Sequence, residues 1–368
     1  MNVPLNTPLP VPQGLAPPAG ATVRLVGLAT ALPPHILRQD EVTARAHALL
    51  APRYPQFDRI AAAFQNAGID QRGSVVPLDW FGGDHGWQAR TEPYLAGATA
   101  LFRDAADRAL AAAGVSAGEI DVIVTVSSTG VATPTLEARV AGEMGFRADV
   151  LRVPVFGLGC AGGVSGLSIA RELAAARPGA RVLMVAVETC TLLFRMDRMD
   201  KADIIATALF GDGAAAVVLA SDAPGAAGSG PVLGRGAQHL WPDTLDIMGW
   251  SVDDRGLGVI FDRSIPAFVT AEIAAAMAAL APALGDTPLA RMVCHPGGAK
   301  VVTALEDALA LPPGTLDAER AVLRDAGNMS APTVLFVLER VLAQGARGRL
   351  MLAALGPGFT LSAIPLDV

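Results

Sequence analysis

Charge is sparse in this chain: Asp, Glu, Lys and Arg make up only 17% of its 368 residues, and no run of Lys and Arg offsets the formal net charge of -7. Without a basic patch interleaved with aromatics, the electrostatic footprint of a nucleic-acid binder is missing, and nucleic acid is not an expected partner. Cysteine is scarcer still. Cys160, Cys190 and Cys294 form no CxxC pair and no disulfide framework, which suits a reducing cytoplasm. The apolar stretches read as strand-length or broken by charge and proline, as in Glu272 to Pro282, so no membrane span of roughly 18 residues is expected. Aromatics amount to 5%. What remains is an Ala-, Gly-, Val- and Leu-rich chain, 52% hydrophobic with a mean hydropathy of +0.42, a mixture that suits helices packed closely on buried strands.

The proline-rich segment 1–21 lacks the basic start and continuous apolar core of a signal peptide and reads as a mobile tail. From there, short β-branched runs alternate with Ala-rich helical stretches, the pattern of an α/β fold. Strands are expected at Thr22 to Ala29, Asp121 to Ser127, Val150 to Val155, Arg181 to Val187 and Gly213 to Leu219, with helices at Leu95 to Ala113 and Gly162 to Ala176. A second set follows the Gly/Ser/Pro-rich stretch Ala223 to Pro231: helices at Ala267 to Ala283, Ala299 to Leu309 and Ala331 to Gln344, and strands at Met292 to His295 and Arg349 to Leu355. The two sets are alike in kind, which predicts a duplication with halves at 22–222 and 223–368.

Three positions carry chemistry. Cys160, in Val-Phe-Gly-Leu-Gly-Cys-Ala-Gly-Gly, sits where a strand ends and a helix begins. The orphan N–H groups of a helix start favour a thiolate and can bind an oxyanion, and the flanking glycines let a substrate carbonyl approach. An arbitrary cysteine is more often a small buried core residue; this setting argues for a nucleophile. The same loop spells G-x-G-x-x-G through Gly157, Gly159 and Gly162, with Glu188 ending the next strand. That pattern is a dinucleotide fingerprint, so an NAD(P)-dependent oxidoreductase is the rival class. Against it, a full α/β segment precedes the loop.

His295, in Met-Val-Cys-His-Pro-Gly-Gly-Ala-Lys, follows a buried strand, where a histidine can act as a base or an oxyanion donor. His35, His47, His85 and His239 lack such a setting and read as ordinary hydrogen-bonded histidines. Asn328, in Asp-Ala-Gly-Asn-Met-Ser-Ala-Pro, can cap a helix, or stabilise an enolate beside a histidine without ionising.

The motifs Gly159-Cys-Ala-Gly-Gly, Leu209-Phe-Gly-Asp-Gly, Cys294-His-Pro-Gly-Gly, Gly327-Asn-Met-Ser and Gly356-Pro-Gly-Phe resemble the type III polyketide synthases, from about Val23 to the C-terminus. The resemblance implies a five-layered αβαβα thiolase-like fold of two duplicated halves, a homodimer, and acyl-CoA and malonyl-CoA as substrates with no carrier protein, metal or cofactor. It implies that Cys160 carries the acyl chain, that His295 keeps its thiolate ionised, and that His295 with Asn328 holds the malonyl carbonyl during decarboxylation. Phe210 matches the family's gatekeeper, and Ser128, Thr133 and Ser330 match pocket positions. Ketoacyl synthase III enzymes share Cys, His and Asn, but their histidine usually stands in His-Gln-Ala-Asn.

Some positions depart from plant chalcone synthases. Val259 most simply occupies the place of a second gatekeeper phenylalanine, although a short shift would put Phe261 there. Cys190 and Leu193 replace threonines. Trp250 is similar to the bacterial alkylresorcinol and alkylpyrone synthases. Basic residues for the CoA tunnel are thin, with Arg72 the best candidate. An apolar fatty acyl starter, giving an alkylpyrone or alkylresorcinol, is the expectation these positions support.

Overall fold

The computed structural model describes residues 20–368 apart from 53, 55, 56, 199, 226, 227 and 286; nearly all of the expected tail lies outside the described residues. The first strand, β1 (Val23–Ala31), alternates buried and half-buried positions, because one pleat face meets a helix across a gap with no room for a side chain. A Cβ on Gly27 would lie 2.3 Å from the Ala109 carbonyl oxygen. A side lobe follows: β2 (His35–Arg38), α1 (Gln39–Leu50), α2 (Phe57–Gln65) and β3 (Gln71–Ser74), with β2 and β3 paired. Then come α3 (Trp87–Ala113), β4 (Val122–Val126), α4 (Leu136–Met144), β5 (Leu151–Val155), α5 (Gly162–Ala175), β6 (Arg181–Thr189), α6 (Lys201–Leu209) and β7 (Asp212–Ser221).

In the second half β8 (Val232–Leu233) and β9 (Ala237–Leu240) lead to a hairpin of β10 (Met248–Asp253) and β11 (Gly256–Phe261). There follow α7 (Ile265–Leu284), β12 (Leu289–Cys294), α8 (Ala299–Ala308), α9 (Asp317–Ala326), α10 (Thr333–Ala343), β13 (Arg349–Gly356) and β14 (Thr360–Asp367).

The strand order exposes the duplication. In the first half β4 runs parallel to β6, β6 antiparallel to β7, and β7 antiparallel to β1. In the second half β12 runs parallel to β13, β13 antiparallel to β14, and β14 antiparallel to β9. The first half adds β5 at its edge, parallel to β4, and β8 stitches the two sets by pairing with both β1 and β14. β6 and β7 are buried on both faces, as expected of strands with helices above and below. α3 covers β1, β6 and β7 from outside, α5 and α10 lie between the two sets of strands, and α7 and α8 cover the second set. These are five layers, helix–sheet–helix–sheet–helix.

One expectation needs correction. α7 is 20 residues long with a mean hydropathy of 1.7, so by length and composition it is the one helix among the described residues that could cross a membrane. Nine of its residues are alanine, and the larger apolar side chains are fewer. Its buried residues Ile265, Val269, Ile273, Ala276, Leu280 and Leu284 form one stripe facing the sheet, the pattern of a core helix.

Candidate active site

Cys160 occupies a one-turn helix, Gly159–Ala161, that runs into α5. The turn is built by close approach. Gly159 has φ +46°, and a Cβ there would lie 2.7 Å from the Pro357 ring; a Cβ on Gly163 would lie 2.2 Å from the Ala331 carbonyl oxygen. The second half of the molecule therefore fills the space above the G-x-G-x-x-G loop that a pyrophosphate would need. Glu188, the acidic residue of that fingerprint, is fully buried and accepts hydrogen bonds from the Ser128 N–H and the Thr129 hydroxyl. It is closed off from any ribose, and the oxidoreductase reading is set aside.

Two further loops bring His295 and Asn328 to the same cavity as Cys160. The His295 N–H donates to the Ala353 carbonyl, and the Gly297 N–H to the His295 carbonyl. The Asn328 amide donates from Nδ2 to the Gly297 carbonyl at 3.1 Å and accepts at Oδ1 from the Ser330 N–H at 2.8 Å, which fixes the amide's orientation. The backbone of Asn328 also bridges to the end of α6: its N–H donates to the Leu209 carbonyl, and its own carbonyl accepts from the Gly211 N–H. Phe210, between those two residues, is thus fixed to the same loop as Asn328. Ser330 sits at φ +60°, unusual for a residue with a side chain, and its N–H is the group that holds the Asn328 oxygen.

The electrostatics follow from enclosure. Burial pushes the Cys160 thiol up to about 11, opposed by hydrogen bonds from Ser330 and Asn328 and reinforced by Glu188. Burial pushes His295 down to about 3, and neither ring nitrogen has a hydrogen-bond partner among the described residues. Each group alone is neutral at pH 7. A proton moved from Sγ to the imidazole creates two opposite charges in a dry pocket, where each offsets the other's desolvation. Glu188, raised to about 8 by burial, adds a carboxyl that enclosure keeps largely protonated at neutral pH.

The cavity holding these three residues measures about 850 Å³ including its mouth, and its lining is otherwise almost wholly apolar. The β10–β11 hairpin forms one wall. Trp250 and Val259 face each other across the two strands, and both Val259 and Phe261 line the cavity. The Trp250 indole donates to the Ser128 carbonyl at 2.9 Å and packs edge-on against Phe210. Arg195, paired with Asp253 at 2.8 Å, and Arg198, donating to the Ser251 hydroxyl and the Val259 carbonyl, tie the hairpin down.

Five positions lie elsewhere than the sequence suggested. Cys190 and Leu193 line a second cavity of about 660 Å³, separated from the first by Phe210 and Val259, which border both. Thr133 is exposed in the single chain, beside Pro134. Arg72 is corrected outright: it is 2% exposed, and its guanidinium is committed to the carbonyls of Thr207, Ala208 and Phe210 and to Gln39. It braces the end of α6 and borders the second cavity with its Nη1 and Nη2 donors taken up by those partners. Ser128 is buried behind the wall, with its hydroxyl accepting from the Gly157 N–H. Met248 and Pro357 join the lining although the sequence offered only a hairpin residue and a Gly-Pro-Gly turn.

Comparison with known proteins fits this arrangement. Residues 83–223 match the model of the chalcone and stilbene synthase N-terminal domain, and residues 232–366 match its C-terminal domain. The chain is 38% identical over 340 residues to the 1,3,6,8-tetrahydroxynaphthalene synthase of Streptomyces peucetius subsp. caesius, covering 90% of this chain and 89% of that one. The chain belongs to the type III polyketide synthases. It is therefore an acyltransferase, and the ketoacyl synthase III alternative is not favoured. The acylalkylpyrone synthase csyB of Aspergillus oryzae is 31% identical over 387 residues, covering 92% of this chain and 93% of that protein. The structure of CsyB complexed with CoA-SH superposes with a TM-score of 0.86 at 30% identity, covering 94% of this chain and 99% of that one. These type III polyketide synthases share the layered fold with the present chain.

Proposed function

We propose that this polyketide synthase extends a medium or long fatty acyl-CoA with malonyl-CoA and closes the product to an alkylpyrone or alkylresorcinol. The observation that carries the starter class is the cavity: Cys160 opens into a space whose walls offer a chain almost nothing polar. Each buried methylene contributes about 0.8 kcal/mol, so several carbons outweigh the stacking an aromatic starter would gain.

In the reaction, the Cys160 proton passes to His295 and Sγ attacks the acyl thioester carbonyl; the C–S bond to CoA breaks, and the CoA thiolate leaves with that proton. The malonyl thioester carbonyl then accepts hydrogen bonds from His295 and from the second Nδ2 proton of Asn328. Its carboxylate departs as carbon dioxide, and the two donors hold the enolate oxygen. The enolate carbon attacks the acyl-cysteine carbonyl, and Cys160 leaves as thiolate, ready to be reloaded. His295, with neither ring nitrogen partnered among the described residues, is free for both tasks. The substrates are CoA thioesters, and no metal or further cofactor takes part.

The working unit is a homodimer. β5 pairs only with β4 among the described residues and leaves its other edge free. Beside that edge Leu151 is 37%, Phe156 57% and Val131 58% exposed, an apolar face that a second copy would cover. Phe156 directly precedes the loop to Cys160, so dimerisation would steady the nucleophile. Sedimentation should give about twice the 37.7 kDa chain mass, and Phe156→Glu should shift the protein toward monomer; a native protein sedimenting as a monomer at micromolar concentration contradicts the assignment.

The starter is tested by mass spectrometry of products from acetyl-, hexanoyl-, dodecanoyl- and coumaroyl-CoA, each with malonyl-CoA. Dodecanoyl-CoA should give the highest kcat/KM. Coumaroyl-CoA, or malonyl-CoA alone, as the best starter would remove the fatty acyl reading and leave the condensing mechanism standing.

A further inference from the structure

The cavity at Cys160 does not end at the hairpin. Residues of three elements in the outer layer of the second half also line it. On β12, Met292 and Cys294 occupy alternate positions and so share one pleat face; Ala353 of β13 pairs in register with Cys294 and extends that wall. On α8, Val301 and Leu305, with Leu309 just past its end, recur every fourth residue and form one stripe about 12 Å long. On α7, Ile265, Ile273 and Met277 lie along the face turned to the sheet.

No charged side chain enters this part of the cavity, and its one polar side chain is a thiol whose burial keeps it protonated. His295 follows Cys294 directly, so this part adjoins the reaction centre itself. These apolar residues line the same cavity as Cys160, and such a lining suits an unbranched alkyl chain.

The geometry points to this part of the cavity, beneath α7, as the compartment for the alkyl tail of the acyl group on Cys160, with Met277 and Ile273 setting the longest chain accepted. The inference rests on the fatty acyl reading above and assigns its tail to a place. The second cavity, behind Phe210 and Val259, is the competing compartment. It carries Arg45, Arg195 and Asp203 in its lining, charged groups that an alkyl chain would have to desolvate. Met277 is the better site to vary, because it is only partly buried while Ile273 is 2% exposed.

The test is acyl loading of Cys160, followed by intact-protein mass spectrometry with hexanoyl-, dodecanoyl- and tetradecanoyl-CoA in competition and no malonyl-CoA present. Met277→Phe should lower the dodecanoyl-to-hexanoyl ratio about tenfold. Met277→Ala should raise the tetradecanoyl-to-dodecanoyl ratio, by about fourfold for each methylene newly accommodated. Opposite shifts from the larger and smaller side chain separate a chain-length stop from general damage to the fold. Ratios that stay put in both variants, or move the same way in both, overturn the assignment. So does Leu193→Phe, on the wall of the second cavity, moving the ratio when the Met277 variants do not. If the native enzyme loads no fatty acyl group, the starter reading itself fails, a result distinct from loading that ignores Met277.

Discussion

Cys160→Ala leaves the protein folded and lowers product formation by roughly 10⁴-fold or more, the scale of loss seen when a covalent nucleophile is removed. The substitution deletes one sulfur from a residue at the cavity wall and breaks none of the backbone contacts that shape the Gly159–Ala161 turn, so thermal melting should stay near that of the native enzyme. Iodoacetamide should label Cys160 ahead of Cys190 and Cys294. All three thiols are raised by burial, but Cys160 is 8% exposed against 1% for each of the others, and it has the hydrogen bonds from Ser330 and Asn328 that favour its thiolate. Peptide mapping after brief labelling checks the order. Retained condensation in the alanine variant would remove covalent catalysis from the account.

On the proposed mechanism His295 and Asn328 touch different steps and should separate in their effects. His295→Ala should slow both acyl loading and malonyl decarboxylation, each by 10²-fold or more, since the imidazole takes the Cys160 proton in one step and donates to the enolate oxygen in the other. Asn328→Ala removes a donor from the second step and should cost about 10² to 10³ in decarboxylation while loading falls much less. Intact-protein mass spectrometry with starter alone reads the first step, and carbon dioxide release from malonyl-CoA reads the second. An Asn328 variant that cannot be acylated would place the amide in loading and break the division of labour.

Much of this was legible in the chain before any coordinate. The central strands β4, β6, β7 and β13 are apolar throughout and bounded by turn residues, so they fell within a residue or two of their expected limits. Cys160, His295 and Asn328 were legible because each stands in a loop whose glycines exist to permit close approach, and close approach leaves a mark in sequence. α3 begins at Trp87, eight residues before the expected start, because Pro93 lies inside its second turn and the local pattern stops reading as helix there. The hairpin was missed for a different reason. β11 is buried at four successive positions, Gly256 to Val259, and β10 is half-buried over its first four, so neither strand shows an alternation to read. Arg72 misled because a lone arginine looks like an anion contact until its burial is known, and nothing local predicts that its charge is absorbed by the end of α6. Cys190 and Leu193 line the second cavity and not the one at Cys160, because Phe210 and Val259 divide the interior in two and a sequence carries no sign of that.

The backbone bridge between Phe210 and Asn328 has a consequence for how such an enzyme can change over generations. A mutation that shifts the Phe210 backbone also shifts the Asn328 amide, so, on the proposed mechanism, drift at this position is penalised through catalysis. The β10–β11 hairpin pairs with no other strand among the described residues and is held through Arg195, Arg198 and two indole hydrogen bonds, from Trp250 to the Ser128 carbonyl and from Trp87 to the Asp253 carbonyl. Its inward residues can be exchanged one at a time while the three reacting groups stay where they are. Lineages descended from such a scaffold would keep one chemistry and diversify their products mainly through fourteen residues of hairpin, 248–261.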